Sequence, residues 1–295
     1  MSNVVRTLWG AGLQSSLFLK TQYEVLPFTT LNEKHEIQKG VLPAPGETPT
    51  EMLFVMGVGG HYYEDNATSI PKIKYYRHEP DHAALFRQLP MVKRLLSNDL
   101  TQEQRQQYAG RKVVTENGIK KVEYWAKRLN LADVETKYYR ITTINGVEDI
   151  KPYVPDSTNL NPQPKKTPAD SSITTSNVKL AVSTIVKIQL TPFDVSEWLS
   201  VCNQELGDAE FGIVSEMAIV SGVNKIVQSE ASGGASFNFQ EVIAQQITSF
   251  LDARYDLVGA NLGVEKVLDL GDAELLMTGV TNLTGGTTPA AFSGT

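Results

Sequence analysis

Val113-Val-Thr-Glu-Asn-Gly-Ile-Lys-Lys-Val122 and Ile141-Thr-Thr-Ile-Asn-Gly-Val-Glu-Asp-Ile150 each set an Asn-Gly pair between two extended runs. A two-residue type I′ turn needs positive φ at both central residues, and Asn followed by Gly meets that need at least steric cost. The pattern predicts two β-hairpins, turning at Asn117-Gly118 and Asn145-Gly146. Between them, Val122-Glu-Tyr-Trp-Ala-Lys-Arg-Leu129 is rich in strand formers and carries the first hairpin onward. Residues 111–153 therefore read as one multi-stranded antiparallel sheet.

On the N-terminal side, Met52-Leu-Phe-Val-Met56 is an apolar strand running into the glycine-rich turn Gly57-Val-Gly-Gly60, with a second strand around Ile73-Lys-Tyr-Tyr76. Short helices are predicted at 81–88, stopping at Pro90, and at 102–109, where Thr101 and Gln104 have capping-box spacing. Residues 1–50 are broken by Pro27, Gly40, Pro43, Pro45, Gly46 and Pro49 and read as an irregular extended arm, with extended pieces at 16–21 and 23–26.

On the C-terminal side, residues 156–177 are rich in Pro, Asn, Lys, Ser, Thr and Asp and read as a linker or exposed loop. Leu180, Val182, Val186, Ile188 and Leu190 mark a strand. A helix from Pro192 to about Leu206 follows, with Thr191 as N-cap, Asp194 in the first turn, Gly207 beyond the end, and Trp198, Val201 and Cys202 on one face. A strand over Phe211–Val220 ends in a turn at Ser221-Gly222. Val242, Ile243, Ile247, Phe250, Leu251 and Tyr255 then fall near helical spacing, which predicts an amphipathic helix from Phe239 to about Leu257. The expected fold is α+β and β-rich, with antiparallel sheets, a few packed helices and extended terminal arms. Its parts are an arm at 1–50, a β-rich domain at 51–155, the linker at 156–177, an α+β domain at 178–277 and a tail at 278–295.

A hydrophobic fraction of 41% and a charged fraction of 20% over 295 residues describe a chain that buries a real core. The net charge of −6 argues against a direct nucleic-acid partner, which needs concentrated Lys and Arg. One cysteine, Cys202, rules out an intrachain disulfide framework and suits synthesis in a reducing cytoplasm. No apolar run has the length of a membrane span, and Met1-Ser-Asn-Val-Val-Arg6 lacks the order of a signal peptide, so neither a membrane partner nor export by the usual route is expected.

Catalytic and ligand-binding patterns are sparse. His78 and His82 lie four apart with Glu79 and Asp81 between them, but Pro80 interrupts any helix that would align two metal ligands, so solvated or capping roles are expected and no metal. His61 near Glu64 and Asp65 is the one arrangement that could serve a hydrolase, and a structural or interface role is the expectation. Gly57-Val-Gly-Gly60 lacks the Lys-Ser/Thr of a phosphate loop and the dinucleotide spacing, so it reads as a tight turn or bulge, with no cofactor. Cys202, beside Trp198 on an apolar helix face, reads as a buried small hydrophobe. No catalytic residues are assigned, and a non-enzymatic protein is expected. Tyrosines at 62, 63, 75, 76, 138 and 139 come in three adjacent pairs. Neighbours on a strand point to opposite faces, so each pair can place one ring in the core and offer the other to a partner. Tyr62, Tyr63, Tyr75, Tyr76, Tyr138 and Tyr139 are the candidate interface residues.

Leu89-Pro-Met-Val-Lys-Arg-Leu-Leu-Ser-Asn-Asp-Leu-Thr101, Gln104-Arg105, Tyr108, Arg111-Lys112 and Tyr124-Trp-Ala-Lys-Arg-Leu-Asn-Leu131 together resemble virion structural proteins of large contractile-tailed bacteriophages. The likeness continues in Pro152-Tyr-Val-Pro155, Asn159-Leu-Asn-Pro162, Asp194-Val-Ser-Glu-Trp-Leu-Ser-Val-Cys-Asn203 and Val214-Ser-Glu-Met-Ala-Ile-Val-Ser-Gly222, covering about residues 85–225. The resemblance implies a structural component of the tail, baseplate or neck, located in the virion and made in the host cytoplasm. It implies other virion proteins as partners and several copies in a symmetric ring. The alternative is a receptor- or glycan-binding module of the tail, with the paired tyrosines as its platform.

Overall fold

Both Asn-Gly turns form in the computed structural model, with φ of 50° and 79° at Asn117 and Gly118 and of 52° and 80° at Asn145 and Gly146. The structure describes residues 4–64, 72–132, 134–162, 173–255, 257, 264–269 and 272–280. In chain order its elements are β1 (Val4–Arg6), α1 (Leu8–Leu19), α2 (Leu31–His35), β2 (Thr50–Gly57), β3 (His61–Glu64), β4 (Lys72–Tyr75), β5 (Val92–Leu95), α3 (Gln102–Arg105), β6 (Tyr108–Glu116) and β7 (Ile119–Arg128). They continue with β8 (Thr136–Ile144), β9 (Val147–Pro152), β10 (Ile173–Leu190), α4 (Pro192–Leu206), β11 (Val214–Glu230), β12 (Ser236–Tyr255), β13 (Val264–Asp269) and β14 (Asp272–Val280). The protein is α+β and β-rich, with antiparallel pairing throughout the first sheet, in the β3–β4 ribbon and among β8, β9, β10 and β14.

The described residues form two compact units, one drawn from Met1–Leu131 and Lys187–Lys266, the other from Ala132–Val186 and Val267–Thr295. The expected division into 51–155 and 178–277 is corrected by this, because β2 pairs with β11 over Gly57–Thr50 and Glu216–Gly222 and draws the two regions into one sheet. That sheet runs β1-β12-β11-β2-β7-β5, with β6 on the other edge of β7. The second unit holds β9 beside β8 and β8 beside β10, with β13 and β14 also pairing to β10. The two hairpins thus lie in different sheets rather than in one meander. One edge of β7 is taken by β5 and β2 and the other by β6, so β8 has no place beside it and pairs with β10.

In the first unit Leu53 and Val55 of β2, Ala218 and Val220 of β11, Val242, Ile247 and Phe250 of β12, and Ala109 and Ala126 of β6 and β7 form a single apolar cluster, joined by Leu31 of α2 and by Leu85. The alternate residues of β2 and β11, Phe54, Met56, Met217 and Ile219, are buried too. Tyr108 and Lys127 lie in register with Phe54, and both reach Asp194 in the first turn of α4, so α4 starts on this opposite face. The helix itself matches expectation. Thr191 caps it in a capping box with Asp194, Gly207 closes it in the left-handed region, and Trp198, Val201 and Cys202 are wholly buried.

The helix expected over 239–257 is instead strand β12. The reason lies in two extra residues. Along β12 the register against β11 slips by one between Ile243 and Gln246 and again between Ile247 and Ser249, with Ala244 at φ 53°. Val242, Ile247 and Phe250 share one face because their partners Asn224, Val220 and Ala218 do. Bulges thus turn a period of two into spacings of five and three, which imitate a helix. Gly222 is likewise no turn but lies inside β11, where a Cβ would sit 2.3 Å from Val242 Cγ1.

Of the expected arm at 1–50, the described residues 4–50 are built into the first unit. Val4–Arg6 pair with Ser249–Leu251, Thr7 caps α1, and Thr30 caps α2, whose Asn32 bonds to Val242 O and to the Gln245 amide. Pro27 starts a helical turn rather than breaking an extended run, and residues 16–19 end α1. The helix over 81–88 does not form, because the Phe86 and Arg87 amides are engaged elsewhere. The one over 102–109 is a single capped turn, Gln102–Arg105, before β6 begins. Of the expected linker, residues 173–177 belong to β10, and 163–172 lie outside the described residues. Of the tail, 278–280 end β14, and the rest lies outside them too.

Alanine at Gly118, where a Cβ meets nothing within 4 Å, should cost only its backbone strain, about 1 kcal/mol. Trp198→Ala should cost about 3–5 kcal/mol through the cavity beneath α4. Urea unfolding of the two variants checks the sizes and their order.

Candidate functional site

Glu216 of β11 stands opposite Gly57 of β2, in the middle of an apolar run, and is 1% exposed. Its carboxylate accepts four hydrogen bonds. Oε1 takes the amides of Gly59 at 3.0 Å and Arg87 at 2.8 Å, while Oε2 takes the Phe86 amide at 2.9 Å and His78 Nε2 at 3.0 Å. Burial alone raises its pKa, but the His78 ring and the three amides outweigh burial and hold it below the ordinary 4.5. With about four lone-pair positions all occupied, the group is an anchor and has no capacity left to act as a base.

The glycine-rich segment cradles this carboxylate. A Cβ at Gly57 would lie 2.5 Å from Glu216 Oε1, one at Gly59 2.6 Å from the Arg87 nitrogen, and one at Gly60 2.6 Å from Ser215 O. The expected tight turn is therefore a close approach around an internal anion. Gly60 continues it, donating to Ser215 Oγ at 2.9 Å and accepting from the Tyr76 amide at 2.9 Å. Those contacts hold the base of the two-stranded ribbon β3–β4.

A line of rings runs outward from the same anchor. His78 is stacked between Phe250 of the core, at 3.8 Å and 3°, and Phe86, at 4.2 Å and 14°. Phe86 meets Tyr76 at 5.7 Å, and Tyr76 meets Tyr62 at 4.7 Å. Phe86, Tyr76 and Tyr62 are exposed. The ribbon register sets His61 opposite Tyr75 and Tyr63 opposite Ile73, so these four share one face, and Tyr62, Lys74, Glu64 and Lys72 share the other. Adjacent tyrosines do split across faces, but Tyr62, Tyr63, Tyr75 and Tyr76 are all exposed and neither ring of a pair enters the core. Tyr138 and Tyr139 belong to β8 of the second unit, Tyr138 exposed and Tyr139 half-buried.

The other candidate residues have structural partners. His61 and Glu64 lie on opposite ribbon faces, Glu64 pairs with Lys74 at 3.5 Å, and Asp65 lies outside the described residues. His78 is buried rather than solvated, because its ring bonds to Glu216 and stacks between Phe250 and Phe86. Its Nδ1 faces His82 Nδ1 at 3.3 Å, and His82 Nδ1 accepts the Glu79 amide at 3.2 Å, a local capping contact. Burial pushes the Cys202 thiol up to about 12, as befits a core residue. Glu116, Glu123 and Glu205 are close enough to share a cation, and the Lys93 ammonium lies among them, bonded to all three. Burial lowers the Lys93 pKa, but Glu116, Glu205 and Glu123 outweigh it and hold it above its usual range. No helix among the described residues is long and apolar enough to cross a membrane.

Glu216 and Phe86 carry the site, and neither stands out by motif. The usable sequence signal was a lone acid inside Val214–Val220, where an unpaired charge would be costly to bury.

Glu216→Gln replaces an acceptor by an amide facing N–H donors and should cost about 3 kcal/mol at neutral pH. Because the folded pKa lies below 4.5, the stabilisation is present above pH 4.5 and is lost as pH falls through the folded value. Urea unfolding from pH 7 downward should show a shallower acid limb in Glu216→Gln than in the wild type.

No curated protein and no solved structure matches the chain. A family of unknown function, DUF7208, matches residues 1–284. With nearly the whole length covered, including the Glu216 anchor and the aromatic ribbon, the chain belongs to the DUF7208 family.

Proposed function

We propose that the chain is a structural, non-enzymatic component of a tailed-phage virion that joins neighbouring subunits in the tail, baseplate or neck. The observation that carries this reading is the aromatic line Phe250–His78–Phe86–Tyr76–Tyr62, which begins in the core and ends on an exposed ribbon. Rings held rigid before contact lose little side-chain freedom when a protein partner covers them, and aromatic residues are enriched in the cores of such interfaces. The resemblance over residues 85–225 to contractile-tail virion proteins supports the address. Partners are then other virion proteins around a symmetric ring, reached after synthesis in the host cytoplasm.

A glycan-binding module is the second reading. It is favoured by the adjacent Tyr62 and Tyr76 rings, 4.7 Å apart and tilted by 33°, because sugar faces stack on such platforms.

Mass spectrometry of purified particles from the encoding phage should detect the chain, and Tyr62→Ala with Tyr76→Ala should lower its incorporation about tenfold, the loss of one modest contact patch. Absence from purified particles would sink the virion reading. Undiminished incorporation of the double variant, together with lost binding to a polysaccharide array, would favour the second reading.

A further inference from the structure

Strand β9 lies at the edge of its sheet, and all six of its residues are exposed, Val147 at 70% and Ile150 at 56%. Its hydrogen-bonding direction follows from the hairpin. Val147 closes the turn against Ile144, and further along the ladder the Tyr153 amide donates to Tyr138 O at 2.9 Å. Backbone groups of the odd-numbered residues therefore point at β8, and those of Glu148, Ile150 and Pro152 point away from it. Among the described residues, no strand pairs with that outer edge.

We infer that β9 is a self-association edge, and that its occupant is β9 of a second copy of this chain, antiparallel about a two-fold axis at Ile150. Two identical edges related by a two-fold axis keep their faces, so only residues of like parity can stand opposite. With the axis at Asp149, two carboxylates face each other. At Lys151, two ammonium groups do, and at Glu148, two carboxylates again. At Pro152 the central pair has no N–H to exchange. At Ile150 no like charges face each other and the central pair keeps both of its N–H groups. The two Ile150 residues exchange both backbone hydrogen bonds and touch through exposed side chains. Each Asp149 stands opposite the second copy's Lys151, on the face where Asp149 and Lys151 already pair at 2.7 Å within one chain. Glu148 donates its amide to the second copy's Pro152 carbonyl, and the missing Pro152 N–H leaves one bond unmade on each side. Val147 stands opposite the second copy's Tyr153.

Six-residue strands bury little area, so the contact is weak in isolation and gains from other contacts or from crowding in an assembly. It closes at two copies and so makes pairs, not rings. It goes beyond the virion reading and does not depend on it.

The test uses the full chain. Sedimentation velocity over a rising concentration series should show reversible dimerisation. Asp149→Lys or Lys151→Asp alone should weaken it about tenfold by opposing like charges across the axis. Asp149→Lys with Lys151→Asp should restore it, with circular dichroism unchanged throughout. Opposed Ile150 Cα atoms in such a pair lie about 5.5 Å apart, within disulfide reach. Ile150→Cys should therefore cross-link on mild oxidation, whereas Glu148→Cys, set opposite Pro152, should not. The wild type, its Cys202 buried, is the blank. A chain monomeric at every concentration, single reversals without effect, a double swap that fails to rescue, or equal cross-linking at residue 148 would each overturn the inference.

Discussion

Four donors converge on one carboxylate at the centre of this fold. Glu216 pays its desolvation through bonds to the Gly59, Phe86 and Arg87 amides and to His78. Three stretches, each more than 125 positions from Glu216 in sequence, are thereby fixed on β11: the glycine segment after β2, the segment before Pro80, and the irregular run before β5. The Gly59, Phe86 and Arg87 amides have no place in a regular strand or helix ladder and need an acceptor, and a buried anion is the strongest available. The exposed ribbon and its tyrosines are positioned as a consequence.

The same device recurs twice in the first unit. Glu241 of β12, whose pKa burial holds above its usual value against the pull of three backbone amides, accepts from Gly110, Arg111 and Val242 and so ties β6 to β12. Asp194 takes Lys127 at 2.5 Å, along with Tyr108 and Thr191, and holds the start of α4 on the sheet. The Lys127 ammonium and the Thr191 and Tyr108 hydroxyls outweigh burial and keep its carboxyl below the usual range. A buried acid saturated with donors adds little net stability over an apolar residue, yet removing its partners is costly, so such groups select one packing arrangement over others. Glu216, Glu241 and Asp194 each fix a crossing that apolar contacts alone would leave free to slide.

How legible this was depended on how local the cause is. The Asn-Gly turns, the Thr101 capping box, the Thr191 N-cap and the buried face of α4 were readable because each is decided within a few residues. The misreadings share a different cause. Val242, Ile247 and Phe250 imitate a helix only because β12 carries extra residues relative to β11. The Gly-x-Gly-Gly run looks like a turn because the anion it surrounds comes from more than 150 positions away, as in the Gly59–Glu216 bond with its sequence separation of 157. The tyrosine pairs were visible as candidates, but their grouping into four on one ribbon and two on another sheet was not.

The amino-acid sequence by itself determined the strand-rich character, both hairpin turns, helix α4 and its caps, and the poverty of catalytic motifs, since propensity, turn chemistry and side-chain inventory act locally. Only the tertiary structure decided that the two hairpins separate into different sheets, that residues 4–35 join the first sheet and its core, and that β12 is a strand. It alone also placed His78 and Phe86 between the core and an exposed aromatic ribbon. These outcomes depend on which edges are already occupied and on which distant donors can reach a buried carboxylate, and neither is written in any one stretch of the chain.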